Sequence, residues 1–555
     1  MESRIPRRFV FLFLLILTCL ALSIRVYKLG TNPEGVLVDE ASIGYNAYSI
    51  LKTGKDEWGV RLPVVFKAFG DYKLPAYIYA TVPSTALFDM NAFSVRLPSA
   101  VAGTLLVPIS FFFLQLLGLT TVGSLFGAGV VAFSPWTIIL SRFGYESNLA
   151  LVLFTAGMVC TLAWFKKKDI VYGVFAAIFL ALTWYSYVAY RVAVPLIVSP
   201  LLLWALWKKT VQLKHVALFA VVYVVALVPL APYLLSTSGT ARFNQIGLLA
   251  DAGPPQVILE KRNFCTTIYP TQLCYLLWNK GTVYGTLLIE RFVSIISPDY
   301  LFLKGDAFLP YLNVDGYGQF FVYLLPIYFI GIAVVAQTTK KNQLRTLLVL
   351  IAIIGGSIPS LLAGEPQKIR LTPIILPLTV IMSLGFESVY MFTKRNLRPA
   401  LVGILVLVCF TWTTSFIVEF LSIHVQKNDI AFNIHAAKMM NYLETVPKNV
   451  TIRVVPSFSD PLMHYAFHAK IDPNEYQSSI IWDKLESSGF QHAKQLMNIE
   501  VTTEPYQDKL CSLYVTDRVL GLKPSALQFT VRSSNGVHPY LFAYSSQAPA
   551  WCPSE

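Results

Sequence analysis

The chain has 555 residues, of which 55% are hydrophobic and only 14% are charged, and its mean hydropathy is +0.57. This composition is too apolar for a soluble protein of ordinary domain size. The net charge of +13 would suggest nucleic-acid binding in a soluble protein. Here the basic residues cluster in short loops between apolar segments, which is the positive-inside pattern of membrane proteins. The sequence therefore predicts a multi-pass membrane protein that does not bind nucleic acid.

Apolar stretches recur between residues 9 and 420, and about 20 such residues are needed to cross a bilayer core of about 30 Å. The first, at residues 9–26, follows three arginines and lacks a cleavage site, so we expect a retained signal anchor. Basic clusters should be cytoplasmic, and counting the apolar segments between them fixes the topology. It predicts eleven spans in the plasma membrane, with a cytoplasmic N-terminus and an extracytoplasmic C-terminus.

The count places all basic clusters in the cytoplasm only if one apolar segment does not cross the membrane. Residues 74–88 form the shortest segment and contain Pro75 and Pro83, so we expect a re-entrant or interfacial helix there. The prediction is thus an α-helical polytopic membrane protein with interfacial helices in addition to its spans.

The topology divides the chain into two domains. Residues 1–421 form the transmembrane domain, with a first outer loop at 27–73 and a large second outer loop at 236–317. The tail, residues 422–555, has ordinary polarity, and a helix-like segment followed by a strand-like one predicts a small extracytoplasmic α/β domain.

Two features of the outer face stay open on sequence alone. Residues 281–297 could form an interfacial helix beside a lipid or a lid over the helical bundle. Two cysteine pairs, Cys265 with Cys274 and Cys511 with Cys552, lie outside the cytoplasm, where both disulfides and free thiols are compatible with the spacing.

Charged residues gather on this outer face. Asp39 and Glu40 precede an interfacial-helix pattern, and Lys73 closes the same loop. An acidic residue at a membrane boundary costs free energy unless it is paired with a basic group, so an acidic residue found there often has a function. Asp39 alone could simply cap the helix, and Arg142 and Glu146 in the next outer turn could be a local i,i+4 pair. Their convergence on one face favours a site.

Four segments carry a resemblance to a known family: VDE at 38–40, GDYKLP at 70–75, RLPSAVAG at 96–103 and SPWTIILSRFGYESNLAL at 134–151. They resemble the C-type (GT-C) glycosyltransferase superfamily. The most similar branch holds the family-39-like protein mannosyltransferases and the lipid A aminoarabinose transferases. Weaker similarity lies at 301–306 and 364–377, and the tail has no counterpart.

The resemblance implies a GT-C fold and roles for particular residues. Asp39 would be the essential first-loop carboxylate, and Lys73 and Arg370 would bind the phosphate of the donor. Beyond the resemblance, we expect a catalytic role for Glu40, which is adjacent to Asp39, and donor phosphate binding by Arg142, which lies in the same outer turn as Glu146.

The resemblance also implies a site for a divalent metal. Asp71 and Glu146 would be its ligands, although Asp is more usual in the family at the position of Glu146. Oxygen ligands suit Mg²⁺ or Mn²⁺, and the resemblance leaves the metal optional.

The sequence therefore predicts a glycosyltransferase that moves a hexose or pentose from a polyprenyl-phosphate donor to a glycan, lipid or protein acceptor on the extracytoplasmic face. Asp39 as general base would give inversion. A transporter or lipid flippase is the first alternative, but it would place charges near span centres and show inverted repeats. A non-catalytic membrane-anchored sensor or scaffold is the second.

Overall fold

The computed structural model describes residues 6–68, 71–236, 239, 248, 253–456, 460–485, 491–507, 511–522, 524–532 and 539–545. Its residue contacts divide the chain into two compact units. The first unit comprises Met1–Ala21, Gly103–Ile139 and Ala150–Thr413, and the second comprises Leu22–Ala102, Leu140–Leu149 and Thr414–Glu555.

Helices form most of the described chain. The first seven are α1 (Arg7–Val26), α2 (Val38–Thr53), α3 (Pro75–Phe88), α4 (Ala92–Leu116), α5 (Thr121–Phe133), α6 (Pro135–Arg142) and α7 (Glu146–Lys167). The later helices are Ile170–Leu182, Ala189–Trp207, Leu213–Leu227, Ala231–Leu234, Gly253–Thr266, Thr271–Leu277, Lys280–Ile296, Leu325–Thr338, Gln343–Leu362, Ile375–Phe392, Arg398–Glu419, Val425–Lys427, Ile434–Leu443, Pro461–His468 and Pro473–Ser479.

Many of these helices can span a membrane. Among the described residues, eight helical segments are long and apolar enough: Arg7–Val26, Ala92–Leu116, Glu146–Lys167, Ala189–Trp207, Leu213–Leu234, Gln343–Leu362, Thr372–Phe392 and Arg395–Lys427. The bent pair α5 and α6 would make a ninth. The remaining two predicted spans coincide with the shorter apolar helices Ile170–Tyr185 and Val322–Thr338. The chain is thus a multi-pass, mainly helical membrane protein.

Two segments of this helical part depart from a straight helix long enough to cross a membrane. The predicted span at 121–140 is bent by 48° between α5 and α6, because Pro135 lacks an N–H and its ring clashes with the preceding turn. The segment predicted not to cross the membrane forms α3, whose 14 residues are fewer than a bilayer requires.

Small residues allow close helix packing within the first unit. A Cβ added to Gly331 would lie 1.9 Å from the Ile381 carbonyl oxygen, and one added to Gly385 would lie 2.0 Å from that of Ile327. Helices Leu325–Thr338 and Ile375–Phe392 therefore touch backbone to backbone. Such contact is typical of membrane helices, whose association depends on close packing.

The second outer loop contains a disulfide. Cys265 and Cys274 are bonded and join the helices Gly253–Thr266 and Thr271–Leu277, which settles the first of the two cysteine pairs left open. The second pair includes Cys552, which lies outside the described residues.

The tail builds the α/β part of the second unit, as predicted. The strands β1 (Phe66–Ala68) and β2 (Asp71–Lys73) belong to the first outer loop. The tail contains β3 (Thr451–Val454), β4 (Ile480–Trp482), β5 (Ala493–Leu496), β6 (Ile499–Val501), β7 (Ser512–Thr516), β8 (Leu527–Arg532) and β9 (Pro539–Tyr544). These seven tail strands form one sheet of the order β4-β5-β6-β3-β7-β9-β8. The central strand β3 runs parallel to β6 and β7, and the other neighbours are antiparallel.

The helix α2 of the first outer loop packs directly on the tail, and both share one hydrophobic core. A Cβ on Gly44 would lie 2.5 Å from the Phe467 ring, so only glycine allows this approach. The Tyr45 hydroxyl donates to the Ile471 carbonyl oxygen at 3.1 Å, and its ring centroid lies 4.8 Å from that of Tyr476. The tail therefore supports the loop that carries the predicted catalytic acids.

One buried histidine, His464, and one half-buried histidine, His468, lie beside the same core. His464 and His468 stack with ring centroids 6.3 Å apart on the helix Pro461–His468. Burial lowers the pKa of His464 to about 3 and that of His468 to about 4. Both rings are therefore neutral in the folded state at physiological pH.

We expect acid to destabilise the second unit. The unfolded chain binds protons below the ordinary histidine pKa of 6.5, whereas the folded chain does so only near pH 3 to 4. The stabilisation is therefore complete above pH 6.5 and is lost toward pH 3, by about 1.4 kcal/mol per pH unit for each histidine. Thermal unfolding of the purified protein against pH measures this loss.

The matched variants are His464→Leu, which should flatten the pH dependence, and His215→Gln, a histidine of the first unit, which should leave it unchanged. An equally steep pH dependence in His464→Leu would contradict this account.

Candidate active site

The N-terminus of α2 carries two adjacent carboxylates in different environments. The Asp39 side chain is 46% exposed, whereas that of Glu40 is 1% exposed. Glu40 Oε2 accepts from the Leu37 N–H at 3.0 Å, so this side chain caps its own helix. Acidic residues also favour a helix N-terminus because the helix dipole is positive there.

Asp39 is paired with a buried lysine. Lys73 Nζ lies 2.5 Å from Asp39 Oδ1, and the Lys73 side chain is 4% exposed. The strands β1 (Phe66–Ala68) and β2 (Asp71–Lys73) form a hairpin in which Phe66 is opposite Lys73, and this pairing fixes the position of the lysine.

A second carboxylate, Glu146, acts on the same lysine. Burial alone lowers the pKa of Lys73, but the charges of Asp39 and Glu146 outweigh burial and raise that pKa above its ordinary value. Lys73 is therefore an ammonium ion at physiological pH. The structure thus brings together Asp39, Lys73 and Glu146, which the sequence placed on three separate segments.

The described side chains do not complete a metal site. Among the residues that the structure describes, no group of three or more His, Cys, Asp or Glu side chains could hold a metal ion. Asp71 belongs to β2, and its side chain lies outside the described part of the chain. The positive charge next to Asp39 and Glu146 is that of the Lys73 ammonium.

Glu40 is held by a buried arginine that the sequence analysis did not single out. Arg96 Nε donates to Glu40 Oε1 at 2.8 Å and Nη2 donates to Oε2 at 2.9 Å. The Gly144 N–H donates to Oε1 at 2.9 Å. With the Leu37 bond, Glu40 accepts four hydrogen bonds, and these contacts hold it in a structural position.

Arg96 also fixes the start of the first outer loop. Its Nη1 donates to the carbonyl oxygens of Leu29 and Pro33, and its Nη2 donates to that of Gly35. The sequence feature that could have identified Arg96 is its place at the start of an apolar span. A buried charge there costs free energy unless it has a partner.

Arg142, predicted to bind phosphate, lies at the C-terminal end of α1. Its Nη1 donates to the carbonyl oxygens of Ile24, Arg25 and Tyr27 at 2.8–3.3 Å, and Nη2 donates to that of Asn32. The side chain is 1% exposed. These donors satisfy helix-end carbonyls, so the contacts are those of a helix cap.

Arg370 belongs to the first unit, whereas Asp39, Lys73 and Glu146 belong to the second. Its Nη1 donates to the Ala363 carbonyl oxygen at 2.7 Å. The two weaker family-like segments meet near it, because the Lys368 N–H donates to Asp306 Oδ2 at 2.7 Å.

A further buried acid, Glu57, was also missed by the sequence analysis. Its Oε2 accepts from Asn46 Nδ2 at 3.3 Å, and its N–H donates to Asn46 Oδ1 at 3.1 Å. Its charge adds to those that raise the pKa of Lys73. Nothing in its local sequence marked it.

We expect Arg96→Met to destabilise the protein by about 3–5 kcal/mol, because the Glu40 carboxylate would remain buried without its ion-pair partner. The matched control is Arg61→Met, an exposed arginine of the first outer loop, which should change stability by less than about 0.5 kcal/mol. Thermal unfolding in one detergent compares the two variants. Equal stability of Arg96→Met and Arg61→Met would refute the structural role.

Comparison with known families supports the predicted class. The sequence profile of the dolichyl-phosphate-mannose-protein mannosyltransferases (PMT) matches residues 15–243, which include the first outer loop and the turn with Glu146. No curated protein matches the chain in sequence.

Two solved structures share the fold. ArnT from Cupriavidus metallidurans bound to undecaprenyl phosphate aligns with a TM-score of 0.53 and 12% identity, over 99% of this chain and 100% of ArnT. The oligosaccharyltransferase AglB from Archaeoglobus fulgidus, in complex with an inhibitory peptide and a dolichol-phosphate, gives 0.52 and 14% over 84% of this chain.

The aligned part is 64% of AglB, so the chain spans less than two thirds of that protein. A further AglB structure contains Zn and sulfate. The resemblance to the C-type glycosyltransferase superfamily is confirmed, and the chain has the GT-C fold of ArnT with a β-sheet region at its C-terminus.

Proposed function

We propose that the chain is a glycosyltransferase that moves a sugar from a polyprenyl-phosphate carrier to an acceptor hydroxyl on the extracytoplasmic face of the plasma membrane. The observation that carries the proposal is the half-exposed Asp39 carboxylate on the buried Lys73 ammonium, with Glu146 acting on the same lysine. ArnT with undecaprenyl phosphate and AglB with dolichol-phosphate support this class of donor.

Lys73 would neutralise the leaving group. When the bond from the anomeric carbon to the carrier oxygen breaks, the polyprenyl phosphate gains negative charge and needs a cation more than a proton. A charge-assisted hydrogen bond from an ammonium ion provides this. The raised pKa of Lys73 keeps the ammonium form available. Arg370 as a second phosphate ligand rests on the family resemblance.

Asp39 would act as the general base. Its carboxylate is open enough to meet an acceptor, and it loses its ion-pair partner when Lys73 turns to the donor phosphate. The acceptor oxygen then bonds to the anomeric carbon, its proton passes to Asp39, and polyprenyl phosphate leaves from the opposite face. This single displacement inverts the anomeric configuration.

Glu40 and Arg96 would be positioning residues in this scheme, instead of the catalytic role first expected for Glu40. They fix the first turn of α2, on which Asp39 lies. Fixing a catalytic group within a fraction of an ångström of its productive position requires such support. The acceptor is a glycan, a lipid or a protein.

Asp39→Asn should lower sugar transfer by about 10²–10⁴-fold, because the amide cannot accept the acceptor proton. The assay is transfer or release from a panel of radiolabelled polyprenyl-phosphate sugars by purified, folded protein. The control is Glu34→Gln, an exposed acid of the same loop, which should retain activity. Full activity of Asp39→Asn would remove Asp39 from its role, and no activity of the unaltered protein on any donor would count against the class.

Lys73→Met should raise the KM for the donor about 10–100-fold, because a charge-assisted hydrogen bond contributes about 1.5–3 kcal/mol. Lys73→Arg should retain part of this binding, since it keeps the charge. The control is Lys55→Met, an exposed lysine of the same loop, whose KM should not change. An unchanged donor KM in Lys73→Met would exclude phosphate binding by this residue.

A further inference from the structure

The second outer loop presents a large exposed apolar surface. We name residues 253–296 the loop hairpin; it consists of the helices Gly253–Thr266, Thr271–Leu277 and Lys280–Ile296. Phe264 is 78% exposed and Ile268 is 76% exposed. The other large apolar side chains exposed on the loop hairpin are Val257, Leu259, Tyr269, Leu273, Tyr275, Leu276, Leu277, Ile289 and Val293. Soluble surfaces rarely expose so many neighbouring apolar residues, and such patches mark contact with membranes or partners.

The tip of the loop hairpin is held in shape by a disulfide and by contacts of two basic side chains. The Cys265–Cys274 disulfide joins its first two helices. The Lys261 ammonium lies 4.2 Å from the centroid of the Trp278 ring, and the Arg262 guanidinium lies 4.2 Å from that of Tyr275. Arg262 Nε also donates to the Trp278 carbonyl oxygen. The covalent bond and these contacts keep the apolar side chains outward.

The base of the loop hairpin lies level with the end of a membrane span. Gln343–Leu362 is one of the spanning helices, and Glu365 follows it by three residues. Arg291 of the loop hairpin is 7% exposed, and its Nη2 lies 3.3 Å from Glu365 Oε1. Leu248, just before the loop hairpin, donates its N–H to the Leu362 carbonyl oxygen at 2.7 Å. The C-terminal part of the third helix therefore lies near the end of this span.

The composition of the loop hairpin suits that boundary. Tyrosine and tryptophan rings and basic side chains are enriched where lipid headgroups begin, and the loop hairpin combines Tyr269, Tyr275 and Trp278 with more basic than acidic residues. Amphipathic helices with exposed bulky apolar residues lie in this layer and insert those residues among the acyl chains. Its positive charge complements anionic lipid headgroups.

We propose that the loop hairpin is a membrane-surface anchor. The disulfide-linked tip inserts its apolar side chains, including Phe264, Ile268 and Leu276, into the leaflet that borders Glu365. Lys261 and Arg262 meet the phosphates of the lipid headgroups. The bilayer is thus the occupant of this surface, and the anchoring holds whether or not the chain transfers sugar.

Fluorescence of full-length protein in lipid nanodiscs tests the anchor. Bromine atoms on the acyl chains quench tryptophan emission only at short range. Trp278 is one of ten tryptophans. Its share of the emission is therefore obtained by subtracting the fluorescence of the Trp278→Phe variant from that of the unaltered protein. We expect brominated lipid to quench the Trp278 share, and the combined variant Phe264→Ser, Ile268→Ser and Leu276→Ser to lose this quenching.

The matched control replaces three exposed polar residues of the loop hairpin, Asn263→Ser, Thr271→Ser and Gln272→Ser, and should keep the quenching. Elution as a single species and an intact disulfide verify folding of each variant. Quenching of Trp278 by aqueous iodide but not by brominated lipid would overturn the proposal. So would shielding from both quenchers, which would indicate that protein covers the loop hairpin, or unchanged lipid quenching in the triple apolar variant.

Discussion

The buried contact between Arg96 and Glu40 determines the geometry around it. One guanidinium binds both oxygens of Glu40 and three carbonyl oxygens of the preceding loop. A buried charge pair gains little over a hydrophobic pair, but it becomes costly to break once it is formed. The same guanidinium therefore ties the chain at Leu29–Gly35 to the first turn of α2. Because Asp39 is next to Glu40, the contact between Arg96 and Glu40 also fixes the position of Asp39.

The other support of α2 is apolar and comes from the tail. Gly44 and Tyr45 lie against Phe467, Ile471 and Tyr476. One turn of the helix is thus fixed by charge and the following turns by close packing. A carboxylate at the membrane boundary is held by two independent means, and the tail acts as scaffold for the first outer loop. Rigid support of this kind is what a positioned catalytic group requires.

The membrane helices were predictable because lipid imposes a length and a uniform apolarity on every span. The meeting of Asp39, Lys73 and Glu146 also followed from topology, which confines them to one face. The hydrogen-bond and ion-pair partners of individual side chains could not be predicted from the topology. Glu40 and Arg142 have the residue types of a phosphate-transfer site, but their bonds go to a buried arginine and to helix-end carbonyls. Such long-range contacts, like the strand order of the tail sheet, leave no local pattern in the sequence.

The packing of α2 on the tail has a consequence for the order of synthesis. The tail residues that contact α2 lie more than four hundred residues later in the chain, as the bond from Tyr45 to Ile471 illustrates. Contacts of such sequence separation form late, because the intervening chain must first be made and brought into place. Until the tail is made, the apolar underside of the loop stays uncovered while the remaining helices are synthesised. The carboxylate thus acquires its final position only when the tail has emerged and folded.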